Sequence, residues 1–485
     1  MRTFEKNNSV RTHFNKTKIV ATVGPASSSR DILRQLVLAG VDVFRLNFSH
    51  GSYDEHQKVI NHIRDINEEL QINTAMLVDL QGPKLRIGVI KGGEIFLEDG
   101  KELTITTTPC EGTIDQVYIT YPEFPKDVKA GEPVLIDDGK IKLEVISTNR
   151  EDKVLTRVIH GGPLTSKKGV NLPHTNVSLP CLTEKDLLDL DFALLNEVDW
   201  IGLSFVRSVT DIVELKDKIK LKKKQPKVIA KIEKPEAMDE IDNIIDMADG
   251  IMVARGDLGV EMPLEQVTLT QKLLVKKCLA ASKPIIIATQ MMESMINNFS
   301  PTRAEVSDVT NSVLDGADAL MLSGETSVGK FPVQVISQMT KIIATVEATS
   351  YQYDRDSIPP SNPELKFIYN SIFYNACKMS AQANAKGIIT MTHSGYSAFR
   401  IASQRPKASI FVFTDNKNLL NAMSLVWGVR TFYYDKYEST DQSIADTIEL
   451  LKEQGFLMKD EVVINIASVP IYSRGKANMI KLGIV

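Results

Sequence analysis

The sequence predicts an α/β fold: a (β/α)8 barrel, a small all-β lid domain inserted into it, and a C-terminal open α/β domain. Three observations carry this expectation. Between Thr17 and about Tyr351, eight short β-branched or apolar runs recur, each leading through a turn into a helical segment. The third and fourth runs are separated by a long stretch of different texture. Beyond the eighth, the linker IPPSNPE from Ile358 opens a further alternation of strands and helices. The expected boundaries are 1–85 and 180–357 for the barrel, 86–179 for the insertion and 358–485 for the last domain.

In chain order the runs are TKIVATVG from Thr17, VDVFRLNF from Val41, TAMLVDL from Thr74, WIGLSFV from Trp200, KVIAKIE from Lys227, GIMVARG from Gly250, PIIIATQ from Pro284 and ALMLSGE from Ala319. Apolar residues at three- and four-residue spacing predict helices over 31–39, 56–70, 236–247, 266–281 and 333–347. Near-continuous apolar strands alternating with helices require a parallel sheet covered on both faces. Eight such units favour closure into a barrel over an open sheet. The insertion contains the strand-like pieces ELTITTT, PVLIDD, KLEVIS and KVLTRVI, punctuated by Gly, Pro, Asn and Asp. It emerges after the third strand, at the barrel's C-terminal mouth, which favours a lid over an inert decoration. In the last domain, helices are expected over 365–384, 418–425 and 441–454, around strands GIITMTH, SIFVFTD, VRTFYY and VVINIA, with MIKLGIV at the end.

Composition excludes several classes of function. The 485 residues are 43% hydrophobic and 24% charged with a net charge of −4, which gives no electrostatic footprint for nucleic acid. The basic stretch from Lys220 to Lys224 reads as a solvated helix face. Four scattered cysteines without a C-x-x-C pair argue against zinc and a disulfide framework, and fit a reducing cytoplasm. No apolar run approaches the roughly 20 residues that span a bilayer.

In a barrel of this kind, polar residues at the carboxyl ends of strands meet the substrate. The second run ends in Arg45, Asn47, Ser49 and His50, the third in Asp79, Lys84 and Arg86. The fifth ends in Lys231 and Glu233, the sixth in Arg255, Gly256 and Asp257, the seventh in Thr289 and Gln290, and the eighth in Ser323 and Glu325. Lys231 and Glu233 are two apart on a strand, so both side chains leave on one face. Burying them is costly unless they pair with each other or hold a charged ligand. A structural ion pair is the bland alternative; Asp257, at the mouth of the adjacent strand, stands against it. Two carboxylates with vacant positions suit Mg2+ or Mn2+, which keep waters and take substrate oxygens. Gly256 and Asp257, ahead of an apolar stretch, are expected to offer amides to an anion near a helix N-terminus. With Arg45 and Lys231 as fixed positive charge, the pattern describes phosphoryl transfer.

These residues lie in motifs that span nearly the whole chain: TKIVATVGPAS, RLNFSHG, DLQGPKLR, KKGVNLP, KIEKPEA, GIMVARGDLGVE, ATQMMESM, PTRAEVSDV and LSGETSVGKFP. In this order they resemble the pyruvate kinase family, inserted β-domain and C-terminal domain included. The resemblance implies transfer of the phosphoryl group of phosphoenolpyruvate to ADP, giving pyruvate and ATP. It makes Lys231 the residue that neutralises the transferring group, and Glu233 and Asp257 the ligands of Mg2+ or Mn2+. Arg45, Gly256, Asp257 and Thr289 match substrate-binding positions. Asn47, Phe48, Ser49, His50, Arg86 and Lys168 match positions that meet the nucleotide. Thr289, Ser323 and Glu325 lie on the proton-delivery side, where a water relay is favoured. The chemistry is driven by tautomerisation of the enolate, whose oxygen the metal and Lys231 stabilise until a proton arrives.

The resemblance also implies a homotetramer and an effector site for a sugar phosphate or nucleotide at Ser394, Gly395, Tyr396 and Ser397, with Arg474 and Lys476. An ordinary strand-to-helix turn is the alternative there. One departure stands out. Many family members hold K+ near Asn47, Ser49, Asp79 and the carbonyl of the next residue, with Thr at position 80 and Glu at position 84. This chain has Leu80 and Lys84. A lysine there reverses the sign of the charge and predicts an enzyme that does not require K+, unless Lys84 is merely solvated at the lid hinge. Two rival functions remain: a metal-dependent lyase or aldolase acting on a 2-keto acid, and a non-catalytic relative that only binds a metabolite. The first needs neither a nucleotide lid nor the pair Arg45 and Lys231. Loss of Lys231, Glu233 or Asp257 would have marked the second.

Overall fold

The computed structural model describes residues 14–173, 175–220, 222, 224–349, 353, 365–436, 439–469 and 477–485. Strands β1 (Lys18–Thr22), β2 (Val43–Asn47) and β3 (Ala75–Asp79) precede the insertion. The insertion contains β4 (Glu94–Leu97), β5 (Glu102–Thr106), β6 (Gln116–Tyr118), β7 (Pro133–Ile136), β8 (Ile141–Thr148), β9 (Lys153–His160), β10 (Gly162–Thr165) and β11 (Val170–Asn171). Strands β12 (Trp200–Leu203), β13 (Lys227–Ile232), β14 (Gly250–Ala254), β15 (Ile285–Ala288) and β16 (Ala319–Leu322) follow it. The barrel closes in the order β1-β16-β15-β14-β13-β12-β3-β2, every neighbour parallel. All eight predicted runs are barrel strands.

The pleat sorts each strand's residues between two cores. Ile19, Phe44, Val78, Ile232 and Val253 turn outward and pack beneath the helices. Val20, Leu77, Trp200, Ile229, Met252 and Met321 turn inward and fill the barrel. Ala422 and Leu425 of the C-terminal domain join the inner cluster and plug the barrel's lower end, where Trp200 Nε1 donates to Ala422 O at 3.0 Å. The upper end is left for chemistry.

The insertion is sheet-rich, with one helical turn at Phe124–Asp127, and has its own core around Leu103, Ile105, Val134, Leu143 and Val154. Its sheets run β11-β7-β8-β9-β5-β6 and β10-β4. The C-terminal domain orders β19 (Val429–Tyr433), β18 (Ser409–Thr414), β17 (Gly387–Met391), β20 (Val462–Ala467) and β21 (Met479–Ile484), with only β21 antiparallel among these strands.

Two sequence expectations change. The helix expected over 236–247 is a 3-10 turn, Pro235–Met238, followed by a short helix, Ile241–Met247. Pro235 opens the first turn, whose tight pitch tucks Ala237 fully into the core. The helix that was to carry the basic stretch ends at Lys220. Elsewhere the ends move by a few residues: Ser52 caps the helix Tyr53–Leu70 through a capping box, so the helix starts three residues ahead of the periodic segment.

Candidate active site

The barrel mouth is organised around Asp79. This carboxylate is buried at the end of β3. Lys231 Nζ approaches its Oδ1 to 3.1 Å and donates to Oδ2 at 3.2 Å. Arg45 Nε donates to Oδ2 at 2.9 Å, and Arg45 Nη2 pairs with the same oxygen. Burial alone would raise the pKa of Asp79, but Lys231 and Arg45 outweigh it and hold the carboxyl below its usual range.

Lys231 is the hub. Its ammonium also pairs with Glu233 Oε1 at 2.9 Å and donates to Ser204 Oγ at 2.6 Å. Burial opposes the charge, yet Asp79 and Glu233 shift its pKa upward, so the lysine remains an ammonium. Glu233 is pushed up to about 7, chiefly by burial; Lys231 pulls against this and the nearby Asp257 charge adds to it. Its Oε2 accepts from Phe205 N at 2.7 Å. Phe205 holds a left-handed backbone, φ 54°, unusual for a bulky residue, and that conformation aims its amide at the carboxylate.

Among the described residues, no hydrogen bond or ion pair reaches the carboxylate of Asp257, which is only partly buried. A carboxylate without a protein partner, whose charge bears on a second, buried carboxylate, is a donor set of the kind a cation binds. Glu233 and Asp257 therefore fit a divalent ion, and they would hold it with oxygen ligands alone. The described residues contain no cluster of three or more His, Cys, Asp or Glu able to bind a metal. Two carboxylates suit an ion that completes its shell with water and substrate oxygens.

The sequence expected Gly256 and Asp257 to offer amides to an anion near a helix N-terminus. Both residues lie inside the first turn of the short helix Arg255–Glu261, and Gly256 N donates to Thr289 Oγ1 at 2.7 Å. The Gly256 amide is spent on positioning Thr289, whose hydroxyl faces the first turn of that helix. Thr289 and Gln290 adopt φ of 69° and 52°. For a β-branched residue this is strained, at a cost of order 1–3 kcal/mol. Arg255 secures the turn: Nη2 donates to Thr289 O at 2.7 Å and Nη1 to Asp308 Oδ1 at 2.8 Å. Ser323 N donates to Glu325 Oε2 at 2.7 Å; Glu325, buried, has its pKa raised by that burial.

The nucleotide candidates divide. Asn47, Ser49 and His50 are partly or fully exposed, whereas the Phe48 ring is buried against His56, Tyr53 and Phe192. Arg86 Nη1 donates to Lys167 O at 3.1 Å, and Lys168 Nζ pairs with Asp137 Oδ1 at 2.9 Å, all within the lid or at its hinge. Lys84 is exposed, forms no ion pair among the described residues, and borders the lid–barrel gap. The cations on Asp79 are therefore Arg45 and Lys231, and Leu80 O already accepts from Ser204 Oγ at 2.7 Å.

In the C-terminal domain, Gly395 takes φ 84° at the start of the helix Tyr396–Ser403, and its amide donates to Thr392 Oγ1 at 3.0 Å. Tyr396 N donates to Ser394 Oγ at 3.4 Å, and Ser397 is buried. Arg474 and Lys476 lie outside the described residues.

Sequence reasoning missed Ser204 and Thr22, the latter accepting from Arg45 Nη1 at 3.1 Å. Both are polar residues at the ends of barrel strands, β12 and β1. The rule that singled out the other six strands would have found them.

Fold and mouth together define a (β/α)8-barrel enzyme with a β-lid, equipped to neutralise negative charge. Residues 14–336 match the family model for the pyruvate kinase barrel domain, and 370–482 the model for the pyruvate kinase alpha/beta domain. The chain is 42% identical over 463 residues to the pyruvate kinase of Mycobacterium tuberculosis, covering 96% of this chain and 97% of that one. It is 40% identical over 474 residues to the enzyme of Geobacillus stearothermophilus, covering 97% and 80%. A crystal structure of a pyruvate kinase from Cryptosporidium parvum superposes with a TM-score of 0.90 at 33% identity, over 97% of this chain and 96% of the other. The chain belongs to the pyruvate kinase family. It is a phosphotransferase of glycolysis, and membership implies a divalent metal.

Proposed function

We propose that this chain transfers the phosphoryl group of phosphoenolpyruvate to ADP at the mouth formed by Lys231, Glu233, Asp257 and Thr289. The observation that carries the assignment is the buried ammonium of Lys231 between two carboxylates, beside the idle carboxylate of Asp257. Glu233 and Asp257 would hold Mg2+ or Mn2+, which when bound supplies Lewis-acid neutralisation of phosphoryl and enolate oxygens. Lys231 contributes fixed charge to the same oxygens, at no reorganisation cost because its contacts already orient it. Arg45, held by Asp79 and Thr22, would contact the phosphate. Gly256 fixes the Thr289 hydroxyl, and with Ser323 that side chain lines the face from which a proton reaches the enolate carbon. Asn47, Ser49, His50, Arg86 and Lys168 would meet the nucleotide. The decisive assay is release of pyruvate from phosphoenolpyruvate as ADP and Mg2+ are withheld in turn. Release without ADP would mean that water accepts the phosphoryl group, as in a phosphatase, and would overturn the assignment.

The enzyme would work without K+. Lys84 is solvated at the hinge, so the case rests on Asp79, which already carries the cations of Arg45 and Lys231, and on Leu80 O, which is engaged. Activity with Mg2+ in tetramethylammonium buffer is expected to be most of that with KCl; a tenfold or greater K+ activation would refute this. A cytoplasmic homotetramer is proposed, open to light scattering. An effector at Ser394–Ser397 would be a sugar phosphate or nucleotide, and activation kinetics with fructose bisphosphate, ribose 5-phosphate, glucose 6-phosphate and AMP tests it; no response would leave an ordinary turn.

A further inference from the structure

Asn171, in the last strand of the lid, donates from Nδ2 to Glu261 Oε1 across the lid–barrel gap at 2.8 Å. The same oxygen pairs with Lys234 Nζ at 2.8 Å. Glu261 ends the short helix whose first turn carries Asp257, and Lys234 directly follows Glu233. One carboxylate thus joins the lid to the segments bearing both candidate metal ligands. Glu261 is 3% exposed. Its second oxygen, Oε2, has no hydrogen-bond partner. Glu261 is among the residues lining a cavity of about 30 Å³ between lid and barrel, as are Lys84, Asp138 and Asp257. A buried carboxylate with an idle oxygen is costly, and an apolar side chain would serve packing better. Breaches of that kind concentrate where function requires them.

We infer that Glu261 is a positioning residue that registers lid closure against the metal-binding carboxylates, with Asn171 as the lid's half of the latch and Lys234 as its fixed counter-charge. The inference rests on the phosphotransferase reading above. With the lid closed, Asn171 and Lys234 converge on one oxygen and fix the helix carrying Asp257 against the loop that follows Glu233. With the lid open, Glu261 keeps Lys234 alone and that alignment loosens. Nucleotide captured under the lid and metal bound below it are thereby coupled through one side chain.

The test uses the full-length chain and the variants Asn171→Ala, Glu261→Ala and the double variant. The Asn171 side chain touches the barrel through this bond, so Asn171→Ala should melt near the parent. It should raise the KM for ADP on the order of tenfold, as expected for loss of one hydrogen bond to a charged group. Hydrogen exchange at 170–172 should quicken without change in the barrel strands. The double variant should be no worse for ADP than Glu261→Ala. An unchanged ADP KM and unchanged exchange in Asn171→Ala, or additive effects in the double variant, would overturn the latch. Because Asn171→Ala decides alone, poor folding of Glu261→Ala does not rescue the idea. The exchange measurement stands apart from turnover, so failure of the catalytic assignment is distinguishable from failure of the latch.

Discussion

Lys231 illustrates how one residue carries both chemistry and fold. From the alternation of a strand, its side chain and that of Glu233 had to share a face; whether they pair was left open, and the structure pairs them at 2.9 Å. Its partnership with Asp79 and Ser204 was not legible, because those residues lie 152 and 27 positions away and meet it only when the barrel closes. The contacts set the expected outcome of Lys231→Met. Turnover should fall by on the order of 10²–10³ or more, since fixed charge at the transferring group is lost. Stability should fall as well, by roughly 3 kcal/mol, because Glu233 loses its counter-charge in a buried setting. Turnover together with a thermal melt checks both, and near-normal turnover would exclude the assigned role.

At the scale of elements, the strands leading into and out of the lid are stapled at the barrel rim. Asp186, fully buried in the first turn of the helix Glu184–Leu195, accepts from Thr183 N at 2.9 Å and Thr183 Oγ1 at 2.6 Å. It also takes Gly82 N from the outgoing segment at 3.1 Å. The capping box was readable from the T-x-x-D spacing, whereas the bond to Gly82 spans 104 positions and was not. Removing the cap hydroxyl in Thr183→Ala should cost about 1 kcal/mol. Asp186→Ala strands the Gly82 amide as well and should cost roughly 3 kcal/mol. Urea midpoints for the two variants test that order; equal shifts would show that the outgoing segment does not depend on Asp186. The broken helix at Pro235–Met238 has the same lesson in reverse. Apolar spacing continued through it, but Pro235 and the demand to bury Ala237 set a tighter turn that periodicity does not encode.

Across the whole molecule, the barrel's first residues are tied to the C-terminal domain. Lys16 Nζ donates to Pro406 O at 3.0 Å and to Lys407 O, and lies 4.6 Å from the Tyr353 ring centroid. Glu347 accepts from Lys16 N and Thr17 N at 2.8 and 2.7 Å. Burial lowers the Lys16 pKa to about 8, with Glu347 pulling the other way. Between that value and the ordinary lysine value near 10.5, the unfolded chain binds the extra proton. The Lys16 contribution to stability therefore rises with pH through this window, by at most about 3 kcal/mol. Lys16→Met should consequently be more destabilising, relative to the parent, at pH 10 than at pH 7.5. A pH-independent difference in denaturation midpoint would refute the shift. This cross-domain pairing spans 390 positions and leaves no local mark in the sequence.

The sequence by itself determined the eight runs, the insertion after the third strand, the separate C-terminal domain and most of the polar residues at the barrel mouth. These follow from the period of the apolar residues and from the rule that strand ends face the site, both properties of short segments. Only the tertiary structure decided that Arg45 and Lys231 share Asp79, that the Gly256 amide is spent on Thr289, that Phe48 is buried, and that Glu261 receives the lid. Each of these depends on which distant atom fills a partner's remaining hydrogen-bonding capacity or the space beside a ring. Closure of the barrel settles that, and a segment read alone carries no record of it.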